Sequence, residues 1–579
     1  MAWFDDDPDR LSSELRALEA AGLSYVLNDA AREQRGVIEI EVTIDLEEVP
    51  RRMVATYPDE FPYFKPFVHG PDVGYAHHFN PATGEYCLLE AGRGAWVPSD
   101  SLAWLLTEQL GLVSAVNAPG VAPAEVTAGE VAQAEPFSCY VSPGNPAEHV
   151  VVDGALERNG APSGWARLVY TSTDPLRGHV TQLFDHDKSS LSGPARAPAL
   201  PPAEQRLGAV LIPWVQLPEP PRGTDAEAWW AAAAETEPSI QSVCQGVPGT
   251  PSVTVAKALQ FVLVGFPEET AHRQLGQGWV ILVRNRARRN KPWRNARVIR
   301  VERAGHLDLF IREPRLSKMA DAKILLVGLG GLGGQLANLL ACTAPDRLTM
   351  IDGDRTSPAT AIRNPGAFAA SGHPKVQTAI SAAHATQPYT ELEGAGHMFG
   401  RPRLTTEALG GEEQSAEVAD LSGLVSQAHL VIDATADLSV QHYLSDVARR
   451  EGAAYLRAEA LPGVWSGFIA LQRPDADVCW MCWQHHLATT IPRLPARPDD
   501  GVQPPGCGEP TYTGAGFDLA AIAAQAARVA ASYATGDGGY GAMPADVMTV
   551  RFCDAAGIPT LPVWESYTLG RHADCRNHS

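Results

Sequence analysis

Two cysteines and one glycine-rich loop are the residues of this chain whose types and spacing suit chemistry. Cys87 and Cys507 each lie in a context that suits a nucleophile, and the glycine loop at residues 328–334 lies between them. Thiolates attack activated acyl groups, and glycine loops hold phosphate chains. Together they predict a relay in which a carboxylate is activated, passed from sulfur to sulfur and delivered to an amine.

The glycine loop stands in the sequence order of a nucleotide site. An apolar strand at residues 324–327 precedes it, a helix follows it, and a second strand at residues 347–351 ends at Asp352. The glycines expected to approach the ligand are Gly328, Gly330, Gly331 and Gly333. They permit a tight turn against a phosphate chain, and Asp352 is placed to hold ribose hydroxyls. This order predicts a nucleotide-binding α/β domain.

Charged residues beyond the loop favour ATP over NAD. The expected set is Asp352, Asp354, Arg363, Lys375 and Asp437, the last preferred to Asp433 as the metal carboxylate. Cations suit the phosphates of ATP and carboxylates suit Mg²⁺, whereas hydride transfer needs neither. We therefore predict ATP and Mg²⁺ as ligands, with Arg363 in a catalytic role. An NAD oxidoreductase ranks last among the alternatives.

The remaining cysteines indicate a metal site. Cys-x2-Cys and Cys-x2-His pairs suit tetrahedral zinc. The predicted ligands are Cys479, Cys482, Cys575 and His578, with His572, His485 or His486 as substitutes for the histidine. A redox pair at Cys479 is less favoured, because no thioredoxin-like context surrounds it. The other thiols are expected to be buried apolar residues: Cys139, Cys244, Cys342 and Cys553.

The segment from about residue 316 onward resembles the adenylating domain of the ThiF-type family, which includes the ubiquitin-activating enzymes. The resemblance rests on Gly-x-Gly-Gly-x-Gly, Asp-x-Asp, a downstream Arg, Gly372-His-Pro-Lys375 and the Asp433/Asp437 strand end. The family's Asn-Leu-x-Arg element reads Thr360-Ala-Ile-Arg363, so its Asn is absent there. Cys507, followed by Gly-Glu-Pro-Thr, resembles the acceptor cysteine, with a structural or zinc-binding thiol as the alternative.

Residues 1–135 resemble ubiquitin-conjugating enzymes. Tyr-Pro-x-x-Phe-Pro, His-x-x-Asn, Gly-x-x-Cys-Leu and Trp-x-Pro occur in that order and include Asn80 and Cys87. Taken alone, a cysteine before two leucines would be assigned to the core. The resemblance instead implies that Cys87 accepts the acyl group and that Asn80 stabilises the oxyanion of aminolysis.

Both ends together resemble the bacterial activating–conjugating fusion proteins of CBASS antiphage defence. That resemblance implies that the C-terminus of a cGAS-like nucleotidyltransferase is attached to lysine-bearing targets, and that the protein is a homodimer. Two alternatives stay open. One is activation of a ubiquitin-like or sulfur-carrier protein with Cys87 inert, and the other is an inactive nucleotide-binding scaffold, which the absent Asn supports.

The elements that must position these residues fall into three predicted domains. A conjugating-like α+β domain takes residues 1–135, an α+β connector takes 136–315, and a Rossmann-like adenylating domain takes 316–579. In the first, leucines at helical spacing follow Asp9, and an alternating strand covers residues 38–44. Ser99 and Asp100 are expected to cap the next helix. The whole is therefore of the α/β class.

Composition limits the classes of partner and the cellular compartment that can be expected. A formal charge of −21 over 579 residues argues against nucleic acid as a general partner. A basic stretch runs against that balance, either as a solvated hairpin or as a docking face for an acidic partner; it contains Arg284, Arg286, Arg288, Arg289, Lys291, Arg294, Arg297, Arg300 and Arg303, with Trp293. The acidic start and the lack of a ~18-residue apolar run predict a cytoplasmic protein without membrane contact.

Overall fold

A computed structural model provides the architecture. It describes residues 3–46, 48–75, 78–80, 83–89, 96–118, 148–153, 156–191, 208–221, 223, 225–241, 244–246, 259–271, 274–286, 291–364, 366–400, 421–498, 501, 512–543 and 545–578. The chain divides into two compact units. The first comprises residues 1–195 and 206–303, and the second comprises 196–205 and 304–579.

The beginning of the first unit is a six-stranded antiparallel sheet with the order β1-β2-β3-β4-β6-β5. Its strands are β1 Ser24–Leu27, β2 Glu39–Leu46, β3 Val49–Thr56, β4 Phe67–His69, β5 Phe79–Asn80 and β6 Glu85–Tyr86. Its helices are α1 Trp3–Asp6, α2 Pro8–Ala20, α3 Asp29–Arg35, α4 Leu102–Trp104 and α5 Leu110–Val116, with a π-helical turn at Leu105–Gln109.

The apolar pattern of this segment explains its core. Leu11 and Leu18 are buried on α2, and Ile40 and Val42 are buried on β2, as the sequence periodicity predicts. The predicted N-cap of α4 is wrong by one to two residues. The Ser101 hydroxyl, rather than Ser99 or Asp100, accepts the bond from the Trp104 N–H.

The rest of the first unit is a mixed sheet that closes on itself. Its strands are β7 His149–Val152, β8 Ser163–Thr173, β9 Leu176–Phe184, β10 Gly208–Gln216, β11 Gln245–Gly246, β12 Leu259–Ala271, β13 Gln274–Asn285 and β14 Arg294–Arg303. The order is β11-β10-β12-β13-β14-β7-β9-β8, and β8 also pairs with β10. That pairing makes a closed barrel of seven strands with β11 beside it.

Side chains fill the barrel and one helix covers part of its outside. Trp214, Phe261 and Ile281 are buried among the inward residues. Helix α6, Ala226–Thr236, places Trp229 and Trp230 against the outward residues of β12 and β13. This part of the first unit therefore contains both strands and a helix, as an α+β segment should. The basic stretch includes the β13–β14 hairpin, where the Arg286 guanidinium lies 4.2 Å from the centre of the Trp293 ring.

The second unit is built on an eight-stranded sheet with the order β17-β16-β15-β18-β19-β20-β21-β22. Its strands are β15 Lys323–Val327, β16 Arg347–Ile351, β17 Glu391–Ala395, β18 Leu430–Asp433, β19 Ala454–Ala460, β20 Ser466–Gln472, β21 Val547–Cys553 and β22 Pro559–Tyr567. The first five in the order are parallel, and the last three are joined antiparallel.

Helices cover both faces of this sheet, which explains its apolar parallel strands. They are α7 Gly333–Cys342, α8 Lys375–Thr386, α9 Leu421–Gln427, α10 Leu438–Glu451, α11 Trp480–Thr489 and α12 Gly516–Thr535. One core joins α7, α8 and α12 to alternate strand residues, and the other joins α9, α10 and α11 to the intervening ones. Within the part of the chain that the structure describes, no helix is both long and apolar enough to span a bilayer.

Candidate functional site

The glycine loop leaves the carboxyl end of β15 and enters α7. Gly328 has a φ of +88°, a left-handed conformation that favours glycine, and its N–H donates to the carbonyl of Ile351 at 2.9 Å. A Cβ on Gly333 would lie 1.8 Å from the Gly328 oxygen, so a larger residue cannot fit. A Cβ on Gly330 would meet no described atom within 4 Å. The loop backbone is therefore closely packed at Gly333, whereas the space beside Gly330 is open.

Two aspartates and a lysine of the predicted set lie close together beside this loop. Asp352 follows β16, and its carboxylate accepts bonds of 2.7 Å from the N–H groups of Leu329 and Asp354. The Lys375 ammonium lies 2.7 Å from Asp354 and 3.9 Å from Asp352. Asp352 therefore fixes the loop geometry itself, in addition to the ribose contact predicted for it. Lys375 begins α8, which brings its charge to the same edge of the sheet.

Arg363 lies against the glycine loop and is held there by its neighbours. Its Cδ would be 3.2 Å from a Cβ on Gly331, and its Nη1 donates to the carbonyl of Tyr512. The Gln335 amide donates to the carbonyls of Gly331, Arg363 and Gly516 at 3.0–3.2 Å. This amide therefore ties the start of α7 to Arg363 and to the start of α12.

Asn364 is a residue of the site that sequence reasoning missed. Its Nδ2 lies 2.6 Å from the position of a Cβ on Gly334, so it packs over the first turn of α7. The amide that is absent at Thr360 is thus present next to Arg363, four residues further along the chain. Its position directly after the predicted catalytic arginine was the available signal.

Asp433 and Asp437 have different environments. Asp433 is fully buried; its carboxylate accepts bonds from the Thr435 N–H and hydroxyl at 2.9 and 2.7 Å and from the Tyr455 hydroxyl at 3.0 Å. Burial raises the pKa of Asp433 from 3.8 to about 6. Asp437 is half-buried and caps α10 through Oδ1. A cation can therefore reach Asp437 but not Asp433, in line with the preference for Asp437.

A buried polar group on β19 also went unpredicted. Arg457 is 2% exposed, and its guanidinium donates to Glu459 at 2.5 and 3.0 Å. Glu459 also accepts a 2.8 Å bond from the amide of Gln441. The signal was Arg and Glu at alternate positions in a strand that otherwise reads as buried. Arg457 and Glu459 belong to none of the predicted motifs.

Residues 303–536, which contain the whole glycine-loop site, match the ThiF family. The second unit carries a ThiF-family domain. The match begins one residue before the division between the two units and ends just after α12. Strands β21 and β22 and the last two zinc-type ligands lie beyond it.

Two relatives extend the similarity over nearly the whole chain. They are the uncharacterized proteins y4oA and y4qC of Sinorhizobium fredii, each 26% identical. The alignments cover 99% and 98% of this chain and 97% and 96% of the two relatives. The alignments therefore span both compact units of this chain.

Solved structures are similar to part of the chain. The structure of E. coli MccB with ATP is 14% identical with a TM-score of 0.32 and covers 45% of this chain and 68% of MccB. The microcin C7 biosynthetic enzyme MccB in complex with N-formylated MccA is 14% identical with a TM-score of 0.33, covering 45% and 69%.

Three predicted metal ligands meet in the ThiF-family unit. The buried sulfurs of Cys479 and Cys482 are 3.9 Å apart, and those of Cys479 and Cys575 are 3.5 Å apart. Zinc bonds of ~2.3 Å in a tetrahedron place sulfurs ~3.8 Å apart, so this spacing fits zinc. Burial raises the pKa of the Cys479 thiol to about 11, so that sulfur would keep its proton at neutral pH without a cation beside it.

The hydrogen bonds of two histidines reduce the number of candidates for the fourth metal ligand. The His486 ring nitrogens lie 3.0 Å from the Thr490 hydroxyl and 2.9 Å from the Gly570 carbonyl. The His572 nitrogens contact Thr489 and the Asp574 N–H at 3.2 Å. Both rings are therefore occupied by other groups. The side chain of His578 lies outside the described part of the structure, and it stays the predicted ligand, with His485 as the substitute that these contacts leave open.

Cys87 and Asn80 share the exposed face of the β5–β6 hairpin in the first unit. The Cys87 N–H donates to the His78 carbonyl at 2.8 Å, which continues the register in which Asn80 faces Glu85. Side chains of such a ladder alternate, so Cys87 and Asn80 are diagonal neighbours on one face while Phe79 and Tyr86 are buried. Cys87 is exposed, and Asn80 Oδ1 accepts a bond from the Thr83 N–H at 3.2 Å.

Cys507 lies outside the described residues, as does Cys139. Among the other thiols predicted to be buried, Cys244 is buried and Cys553 is half-buried, but Cys342 is exposed. The expectation for Cys342 was wrong because it is the last residue of α7 and lies beyond the apolar stripe of that helix.

Proposed function

We propose that the ThiF-family domain adenylates the C-terminal carboxylate of a partner protein with ATP. The observation that carries this proposal is the open glycine loop with Arg363 and the Lys375–Asp354 pair beside it, at the carboxyl ends of the parallel strands. Asp437 follows β18, the parallel neighbour of the strand that leads into the loop. Ligands bind at this edge of open α/β sheets. Hydride transfer would leave the cations and carboxylates without a role.

The chemistry follows from these positions. The carboxylate of the partner attacks the α-phosphorus of ATP, and pyrophosphate leaves. Arg363 and Lys375 neutralise the charge that develops on the phosphates, which lowers the barrier most in a site shielded from water. Asp352 holds the ribose, and Asp354 and Asp437 are the residues to hold Mg²⁺, a cation that prefers oxygen ligands.

Cys507 is proposed to take the acyl group next. Its thiolate attacks the acyl carbon, a thioester forms and AMP leaves. The contacts of the flanking chain support this step, because the Tyr512 carbonyl accepts a bond from Arg363 and the Thr513 hydroxyl accepts one from Arg497. Cys507 is five positions before Tyr512, and a chain extended over five positions spans at most ~18 Å.

Cys87 is proposed to receive the acyl group from Cys507 and to lose it to a lysine amine, which forms an isopeptide bond and releases the thiol. Its exposure and its position beside Asn80 support this assignment. The partner whose C-terminus is activated is proposed to be a cGAS-like nucleotidyltransferase of antiphage defence. The family resemblance alone supports this choice of partner. Homodimerisation and a structural zinc ion on Cys479, Cys482, Cys575 and His578 belong to the same proposal.

Exchange of labelled pyrophosphate into ATP tests the adenylation step. The protein, ATP, Mg²⁺ and the nucleotidyltransferase are incubated with labelled pyrophosphate, and label appears in ATP only if the first step reverses. We expect exchange that disappears when the last residues of the nucleotidyltransferase are removed. Arg363→Ala should reduce it by about 10²-fold or more, the usual loss for a charge-stabilising group.

Arg347→Ala is the matched control. Arg347 starts β16 at the opposite edge of the sheet and pairs with Glu391 at 2.9 Å, so its loss should leave exchange unchanged. Exchange that is equally reduced in both variants, or that does not depend on the tail of any partner supplied, would contradict the proposed function.

A further inference from the structure

Three alternate residues of β19 face the segment that carries the proposed metal ligand. Tyr455, Arg457 and Glu459 share one face of the strand, because side chains alternate along it. Asp433 lies opposite Arg457 in the parallel register of β18 and β19. The intervening residues, such as Leu456, face the other core. A continuous polar row therefore lies behind residues 433–441.

Side chains of this polar row are linked by hydrogen bonds to both ends of the segment 433–441. At the first end, the Tyr455 hydroxyl donates to Asp433, which accepts from Thr435, whose hydroxyl in turn accepts from the Asp437 N–H at 3.3 Å. At the other end, Glu459 accepts from the side chain of Gln441, whose N–H donates to the Asp437 carbonyl at 2.9 Å. Asp437 lies between these two sets of hydrogen bonds.

The arrangement costs stability that an apolar face would not. Arg457 and Gln441 are buried, and among the residues that the structure describes, Arg457 Nη1 and Gln441 Oε1 have no hydrogen-bond partner. Each buried polar atom left unpaired costs about 1–3 kcal/mol. Replacing a buried ion pair by apolar residues is often neutral or stabilising. The segment also contains Ala436 at a φ of +58°, a strained conformation that surrounding contacts must hold. Stability alone therefore does not explain the row.

We infer that Tyr455, Arg457 and Glu459 are positioning residues that set the Asp437 carboxylate for Mg²⁺ through Asp433 and Gln441. This inference rests on the proposed function. Groups that orient a metal ligand typically change metal affinity by 10–100-fold when they are altered. The polar row thus makes the neighbouring strand part of the nucleotide site without touching the nucleotide.

Electron paramagnetic resonance of Mn²⁺, added with a non-hydrolysable ATP analogue to the full chain, measures this affinity without catalysis. Tyr455→Phe removes one hydroxyl, and Glu459→Gln keeps an acceptor for Gln441 but removes the charge. We expect each to weaken nucleotide-dependent Mn²⁺ binding by about 10-fold. Tyr389→Phe is the matched control, since it removes another buried tyrosine hydroxyl of the same unit, bonded to the Ala304 carbonyl, and should bind Mn²⁺ like the wild type.

Two results would overturn the inference. Equal Mn²⁺ affinity in the wild type, Tyr455→Phe and Glu459→Gln would reject the role of the polar row and leave adenylation standing. No nucleotide-dependent Mn²⁺ binding by the wild type would reject the polar row together with the assignment of Asp437. Pyrophosphate exchange, measured separately, shows whether adenylation itself fails.

Discussion

At the scale of single residues, Gly333 makes the most specific demand on the sequence. A methyl group there would overlap the Gly328 oxygen, so Gly333→Ala must displace the loop. Overpacking of this kind costs about 1–3 kcal/mol, and we expect a lower melting temperature together with loss of ATP binding. Gly330→Ala, whose new methyl group meets open space, should change the free energy of unfolding by less than about 1 kcal/mol. Thermal unfolding of both variants checks this, and equal destabilisation would contradict the loop geometry.

Asp433 makes stability depend on pH in a defined direction. Its pKa is raised from 3.8 to about 6 in the folded protein, so the folded state binds the proton more tightly. The stability from this group is complete below pH 3.8 and is lost as the pH rises through 6, by at most about 3 kcal/mol.

Asp433→Asn should abolish that dependence. The free energy of unfolding of the ThiF-family unit, relative to the variant, should fall for the wild type between pH 4.5 and pH 7. Pulse proteolysis in urea, read on fragments of residues 304–579, measures it at both pH values. A constant difference between the two proteins would show that Asp433 keeps an ordinary pKa.

The sequence indicated the chemistry at this scale only where residues follow a spacing rule. Asp352 and the glycines follow the ends of apolar strands, so their meeting could be predicted from the parallel sheet. Asn364 and the β19 row stand out in the sequence, but their contacts and those of Gln335 could not be predicted, because those contacts join segments 18 to 181 residues apart along the chain. No local pattern encodes such pairings.

At the scale of elements, the β5–β6 hairpin separates two roles of Asn80. Its Oδ1 accepts the Thr83 N–H and shapes the turn, whereas its amide N–H groups would stabilise an oxyanion. Asn80→Asp keeps the acceptor and loses the donors. We expect both Asn80→Asp and Asn80→Ala to charge Cys87 normally and to slow transfer to lysine by about 10²-fold. Single-turnover discharge of the Cys87 thioester measures this, and normal discharge by Asn80→Asp would leave Asn80 a structural role only.

The three-cysteine cluster is the other element that a measurement can define. We expect elemental mass spectrometry to find about one zinc ion per chain in the wild type. Cys482→Ser should contain almost no zinc and should have a lower melting temperature, because a buried structural zinc contributes directly to folding. Cys342→Ser, an exposed thiol of the same unit, should keep both values. Full stability of a metal-free Cys482→Ser protein would reject a structural zinc.

Element boundaries followed the apolar pattern closely in the ThiF-family unit. The predicted strand at 347–351 matches Arg347–Ile351, and the predicted strand at 324–327 lies within Lys323–Val327. The barrel closure was not predictable, because the pairing of β8 with β10 depends on the sheet curving back on itself. Apolar runs specify strands but not which strands become neighbours.

At the scale of the whole molecule, the proposed relay requires two thioesters that form in order, first on Cys507 and then on Cys87. The predicted division into residues 1–135, 136–315 and 316–579 stays a prediction. Within the first unit, the antiparallel sheet that bears Cys87 and the barrel have separate cores. A relay assigns the chemistry of the first thioester to one compact unit and that of the second to the other.

The most direct test is a non-reducing gel of the protein with ATP, Mg²⁺ and the nucleotidyltransferase partner. Cys507→Ala should form no adduct, and Cys87→Ala should accumulate an adduct on Cys507 that dithiothreitol removes, without isopeptide products. A Cys87→Ala protein that still makes dithiothreitol-resistant products, or a Cys507→Ala protein that still charges Cys87, would contradict the relay.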